Sequence, residues 1–205
     1  VTPEAFRAAT GVSRETLARL ERYAELLVHW NRRINLVGRA TLGDLWRRHM
    51  LDSAQLFSLI PRDARTLVDL GSGAGFPGMV LAILGVPDVH LIESNKRKCA
   101  FLEEVARETD AAVTVHASRI EEIEPFCADV ITARAVAPLG KLLHLGVRFT
   151  SKHSILLFLK GRSAIEELTG AQNEWIMRVD QIPSQTDSEG LILRLEAISR
   201  VLHPQ

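Results

Sequence analysis

A doubly wound α/β fold with a mostly parallel sheet is what this sequence predicts, and three observations predict it. Beyond residue 65, short runs rich in Val, Ile and Leu alternate with helix-period segments, the pattern of strands joined by crossover helices. A glycine cluster, VDLGSGAGFPG at 68–78, follows directly on the first of those runs. The last two apolar runs, near 178–184 and 191–198, leave no room for a crossover helix between them. They predict an antiparallel hairpin at a sheet edge.

The N-terminal sixty residues lack that alternation. Ser13 is a suitable N-cap for a helix over 14–33, along which Leu17, Leu20, Ala24, Leu27 and Ile34 recur at helical spacing. A second helix is expected over 42–60, and Pro61 with the polar RDAR at 62–65 closes it. Residues 1–62 therefore read as a helical extension ahead of an α/β domain over 63–205. In that domain TLVDL (66–70) is the first strand, and Pro77 opens a helix to about Leu84. VHLIES (89–94), AAVTVHA (111–117), ADVITARA (128–135) and SILLFLK (154–160) are the next strands, with helices expected over 95–108, 118–123, 138–148 and 163–176.

With 205 residues, of which 46% are hydrophobic, the chain can bury the core of one full domain. No stretch approaches 18 uninterrupted apolar residues, and the first thirty residues are charged and amphipathic, so a soluble cytoplasmic protein with no membrane partner is expected. Cys99 and Cys127 have no metal-ligand spacing, which suits a reducing compartment and predicts no metal. The 25 basic and 25 acidic residues balance, but unevenly: residues 1–65 carry 11 Arg against 7 acids. Every cation of that segment is the residue that grips phosphate bidentately and stacks on bases. Solvated helix faces account equally well for so small an excess.

Glycines placed straight after an apolar run let backbone N–H groups approach a ligand closely, because a Cβ would collide with it. Gly73, Gly75 and Gly78 fit the GxGxxG spacing of dinucleotide sites and Glu93 lies about 20 residues on, so that fingerprint is formally met. Asp69 argues against it, since its carboxylate near the strand end would repel a pyrophosphate. S-adenosylmethionine has no phosphate and brings an ammonium and a sulfonium, so the acid favours it. In an open α/β sheet the ligand lies beyond the carboxyl ends of the strands. That places Asp69 and Gly71, Glu93, residues 118–121, Arg134 and Lys160 around the pocket. Glu93 can accept from both ribose hydroxyls, and Glu121 or the backbone at Ile120 can meet the adenine amino edge.

Several separate stretches resemble one family: YAELLVHWNRRINLVGR, RRHMLDSAQL, LVDLGSGAGFPGMVLAI, LIESNKRKCAFLEEV, SRIEEI, ARAVAPL and LKGR. Together they resemble the bacterial 16S ribosomal RNA (guanine-N7) methyltransferase G family, also called glucose-inhibited division protein B, over about residues 15–165. The resemblance implies a class I S-adenosylmethionine-dependent methyltransferase (Rossmann-like) fold with a seven-stranded sheet. It implies an N-terminal helical extension, S-adenosylmethionine as donor, and a guanine in the 530 loop of 16S rRNA as acceptor, in the RNA or the small ribosomal subunit. It also carries cofactor roles onto Gly71 and Phe76 in the glycine loop, where Gly73 is a further cofactor candidate, onto Ile120 and Glu121, and onto Arg134. Ala133 departs from the family pattern, which usually has Ser before this Arg.

Guanine N7 has an in-plane lone pair and no hydrogen, so its attack on the sulfonium methyl demands no general base, and no catalytic residue is assigned. Positioning donor and acceptor in line can supply most of the rate. For RNA contact the candidates are Arg134 and Lys160 at the pocket rim, Arg32 and Arg33 at the end of the first helix, and Arg47, Arg48 and His49 on the second. His49 and Asp52, three apart on a helix, can equally form a structural hydrogen bond. Trp30 and Trp46 fit a core role better than base stacking. A monomer is expected. The competing readings are a methyltransferase of this fold acting on a small molecule or protein, and a nucleotide-binding module without catalysis.

Overall fold

The computed structural model describes residues 1–201. It opens with a helix not expected from the sequence, α1 (Pro3–Thr10), capped by the Thr2 hydroxyl and ended by Gly11 at φ 70°. Eight residues with one buried side chain, Phe6, are too short for a periodic signal. The next helix, α2 (Arg14–Asn31), starts at the expected Ser13 cap. It stops two residues early because the buried Asn31 turns the chain: its Oδ1 accepts from the N–H groups of Leu36 and Val37, both at 2.9 Å. Arg32 and Arg33 therefore sit on the following loop.

The single helix expected over 42–60 is instead a chain of short pieces. These are α3 (Arg39–Leu42), a π-helical turn (Trp46–Leu51), α4 (Asp52–Ala54) and a 3-10 turn (Phe57–Leu59). Gly43, which ends α3, is a poor helix-interior residue and marks the first break. The π-turn carries His49, as such turns often carry functional residues.

Seven strands follow: β1 (Thr66–Leu70), β2 (Asp88–Ile92), β3 (Val113–His116), β4 (Ala128–Arg134), β5 (Thr150–Lys160), β6 (Trp175–Pro183) and β7 (Leu191–Arg200). Their order in the sheet is β3-β2-β1-β4-β5-β7-β6, with β7 antiparallel to both of its neighbours. The terminal hairpin is there as expected, but its second strand lies inside and β6 forms the edge. The helices between strands are α5 (Gly78–Ile83), α6 (Lys96–Thr109), α7 (Leu139–Gly146) and α8 (Ala164–Ala171). The last is shorter than expected, since Trp175 is a buried residue of β6. Among the described residues no helix is long and apolar enough to cross a membrane.

The sheet divides the core into two layers. On one face Leu67, Val130, Leu157 and Leu159 pack with α5, α6 and the N-terminal helices, whose Phe6, Leu20, Tyr23 and Leu27 are fully buried. On the other, Val68, Ile131, Leu156 and Phe158 pack with α7 and α8. Because side chains alternate along a strand, Asp69, Thr132 and Arg134 share the face of the N-terminal helices. Lys160, one residue beyond Leu159, which pairs with Arg134, points to the opposite face. Strand order reverses between β1 and β4, where a ligand crevice belongs.

Candidate active site

The glycine loop leaves β1 with Gly71, Gly73 and Gly75 all at positive φ, 62°, 58° and 97°, which only glycine adopts readily. It bounds a cavity of about 410 Å³ at the reversal of strand order, within the size range of small-molecule sites. Glu93, directly after β2, lies on its wall: Oε2 accepts from Gly73 N–H at 2.9 Å and Oε1 from Asn95 N–H at 2.7 Å. The carboxylate thus ties the loop to the start of α6 while keeping lone pairs for a diol. Ile120 is an apolar wall residue whose carbonyl is already taken by the Arg148 guanidinium at 2.7 Å. Glu121, exposed beside it, also lines the cavity and makes no side-chain hydrogen bond among the described residues.

Phe76 closes the loop's far end. Its ring stacks between Tyr23 at 5.3 Å and His49 at 4.9 Å, and the Arg134 guanidinium stands 4.9 Å from its centre. The Tyr23 hydroxyl donates to the carbonyl of Ala74. The N-terminal helices therefore help to shape the loop. Arg134 also donates to His49 Nδ1 at 2.9 Å and pairs with Asp52 at 3.2 Å. Burial, then the nearby Arg134 and Arg48 charges, push the His49 pKa down to about 4.

These features fit S-adenosylmethionine. Positive-φ glycines admit a close backbone approach, Glu93 offers a ribose acceptor, and the wall has an apolar place for a base.

Residues 16–191 match the family described as GidB, rRNA small subunit methyltransferase G. The chain belongs to this family. It is 60% identical to the ribosomal RNA small subunit methyltransferase G of Rhodospirillum centenum, covering 95% of this chain and 90% of that one. It is 58% identical to that of Paramagnetospirillum magneticum, covering 97% of each. Among solved structures, M. jannaschii TYW2 in complex with AdoMet aligns with a TM-score of 0.57 at 17% identity, over 83% of this chain and 80% of that one. A putative O-methyltransferase from Klebsiella pneumoniae aligns at 0.60 and 13%, over 87% and 90%. The fold is thus the class I S-adenosylmethionine-dependent methyltransferase fold.

Gly71, Gly73, Phe76, Glu93, Ile120, Glu121 and Arg134 all line the family's glycine-loop cavity in this chain. Asp69 does not. Fully buried beneath the loop, it accepts from Thr132 Oγ1 at 2.7 Å, its partner across the β1–β4 register, and from Gly78 N–H at 3.3 Å. Burial pushes its pKa up to about 6. Its part is to brace the loop from below. A Cβ at Gly71 would also meet the Val136 side chain at 2.8 Å.

The expected RNA contacts divide. Arg32, Arg33 and Arg48 are exposed and make no ion pair among the described residues. Arg47 is tied to Asp44 and donates to the Thr186 carbonyl at 2.6 Å. Lys160 is largely buried, bonded to Glu167 at 2.6 Å and to the Ala137 carbonyl at 3.1 Å. His49 is buried, and Trp30, half-buried, donates to Glu104 and packs against Phe101. Leu36, Val37, Ser94, Lys98 and Val136 also line the cavity and were not expected there. All but Lys98, which lies in the first turn of α6, come from loops, for which no periodic signal exists.

Proposed function

We propose that this protein transfers the methyl group of S-adenosylmethionine to N7 of a guanine in the 530 loop of 16S ribosomal RNA, acting as a cytoplasmic monomer. Family membership over residues 16–191, with a 60%-identical relative bearing the ribosomal RNA methyltransferase name, is the observation that carries this reading. When bound, the cofactor supplies an electrophilic methyl on a sulfonium. The chain's own part is to hold it: the loop at Gly71–Gly73 admits its backbone-facing end, Glu93 accepts from the ribose, and Ile120 with Glu121 receives the adenine.

The site's chemistry agrees with an acceptor that has no proton to lose. His49 is the imidazole nearest the cavity junction, and its Nδ1 is filled by Arg134. Asp52 is filled by Arg134, Thr186 and Gln55. What these groups provide is fixed charge and orientation, which favour an in-line transfer.

Residues 1–62 serve as the docking segment for RNA. Arg32, Arg33 and Arg48 of this segment are exposed, and Arg119, also exposed, lines the cavity, so that phosphates can reach them.

The test is chemical. In 16S rRNA from cells lacking the gene, aniline cleavage at 7-methylguanosine should vanish from the 530 loop and return on complementation. Retention of that cleavage in the deleted strain defeats the reading.

A further inference from the structure

A second cavity, of about 480 Å³, lies beside the first and shares Arg134 and Ala135 with it. Ala135 holds a left-handed backbone, φ 53°, a strained choice for a residue with a Cβ and one that clusters at functional sites. The ends of β4 and β5 form one side, through Arg134, Leu159 and Lys160. The other side is the loop between β6 and β7, through Ser184, Asp187 and Gly190.

That loop is held against the N-terminal segment by polar contacts. Thr186 Oγ1 donates to Asp52, Gln185 N–H donates to Gln55 Oε1 at 2.9 Å, and Gln55 Nε2 donates to Ser184 Oγ at 3.2 Å. Its own turn is closed by Gly190 N–H, which donates to the Asp187 carbonyl at 3.0 Å. The loop is a built wall of the cavity.

We propose that this second cavity receives the acceptor guanine, and that Asp187 reads its N1–H and 2-amino edge. This rests on the methyltransferase reading given above. A base whose N7 faces the shared wall at Arg134 and Ala135 turns its six-membered ring, with N1 and the 2-amino group, away from the cofactor cavity. Three carboxylates line or border the space: Asp52, Glu167 and Asp187. Asp52 is spent on Arg134, Thr186 and Gln55. Glu167 is spent on Lys160, Ser163 and the Leu139 N–H. Asp187 engages only Oδ1, which accepts from Glu189 N–H at 3.0 Å, and its Oδ2 has no partner among the described residues. It is the carboxylate with an oxygen to offer, and guanine presents two adjacent donors where adenine and inosine lack the 2-amino group.

The experiment uses the full chain and small subunits reconstituted on ligated 16S rRNA carrying guanosine or inosine at the target. Wild type is expected to prefer guanosine by about tenfold in kcat/KM, the size of one charge-assisted hydrogen bond. Asp187→Asn, which retains the turn-forming Oδ1, should narrow that preference to within about twofold while leaving S-adenosylmethionine affinity and Tm unchanged. A variant that keeps the wild-type preference overturns the role of Asp187, whatever its overall rate. So does a wild type that treats guanosine and inosine alike. If the wild type methylates neither substrate, the failure belongs to the functional reading.

Discussion

Arg134 Nη2 donates to His49 Nδ1 at 2.9 Å, and the direction of that bond sets the imidazole's protonation. Arginine has no lone pair to offer, so Nδ1 must be the acceptor and the ring proton must sit on Nε2. Nε2 then donates to Thr41 Oγ1 at 2.9 Å, whose own hydrogen goes to the Gly38 carbonyl at 2.7 Å. The chain of donors has one consistent direction, with His49 neutral.

It follows that His49 should not behave as a catalytic base. His49→Ala should lower activity by loosening Arg134 and Phe76. In single-turnover assays at saturating cofactor and RNA, added imidazole or raised pH should not restore the rate. Restoration by either would show a missed proton transfer.

The same histidine and Asp69 should titrate against each other in stability. His49 has a folded pKa of about 4 against an ordinary 6.5, so acidification through that window protonates the unfolded chain first and lowers stability. Asp69 has a folded pKa of about 6 against an ordinary 3.8, so the folded state takes up the proton first and acidification raises stability. Each effect amounts to about 3 kcal/mol. Relative to wild type, urea denaturation of His49→Gln should show stability gained between pH 7 and 4, and that of Asp69→Asn stability lost. Parallel pH profiles for all three proteins would refute the pairing.

Gly71→Ala should reduce S-adenosylmethionine affinity by tenfold or more, because its Cβ would meet Val136 at 2.8 Å and its φ of 62° is unfavourable to an L side chain. Adding Val136→Ala should remove the clash but not the backbone cost of about 1–2 kcal/mol. Calorimetry should therefore find partial recovery in the double variant. Full recovery would mean the backbone conformation is not required.

Among the arginines, exposure and partners should sort the responses. Replacing the exposed Arg33 and Arg48 by Ala should flatten the salt dependence of RNA binding by about one log–log unit for each lost phosphate contact. Arg47→Ala should instead lower Tm, since Arg47 holds Asp44 and the Thr186 carbonyl. An unaltered slope in the Arg33→Ala/Arg48→Ala protein would refute RNA docking through these residues.

Alternating strands and helices, the glycine loop and the terminal hairpin were all legible because each is written in local periodicity or turn chemistry. So were the strand-end positions of Glu93, Ile120, Glu121 and Arg134, since a parallel sheet puts its ligand at those ends. The helix α1 and the broken 42–60 segment were not, for their residues carry weak local preference and take shape by packing on the sheet. Leu36 and Val37 were not legible either, because a buried side chain, Asn31, sets their turn, nor was the loop over 184–190, whose contacts with Asp52 and Gln55 lie more than a hundred residues away.

The sequence by itself determined the kind of sheet, the cradle and the family this chain belongs to. Only the tertiary structure decided which way each strand-end side chain points. Alternation has a period of two, so a one-residue difference in register moves a side chain to the other face. The β4–β5 pairing of Arg134 with Leu159 sends Arg134 toward His49 and Lys160 toward Glu167. The pairing of Asp69 with Thr132 keeps the acid beneath the loop. Register is set by pairing between strands distant in sequence, and a chain read residue by residue does not contain it.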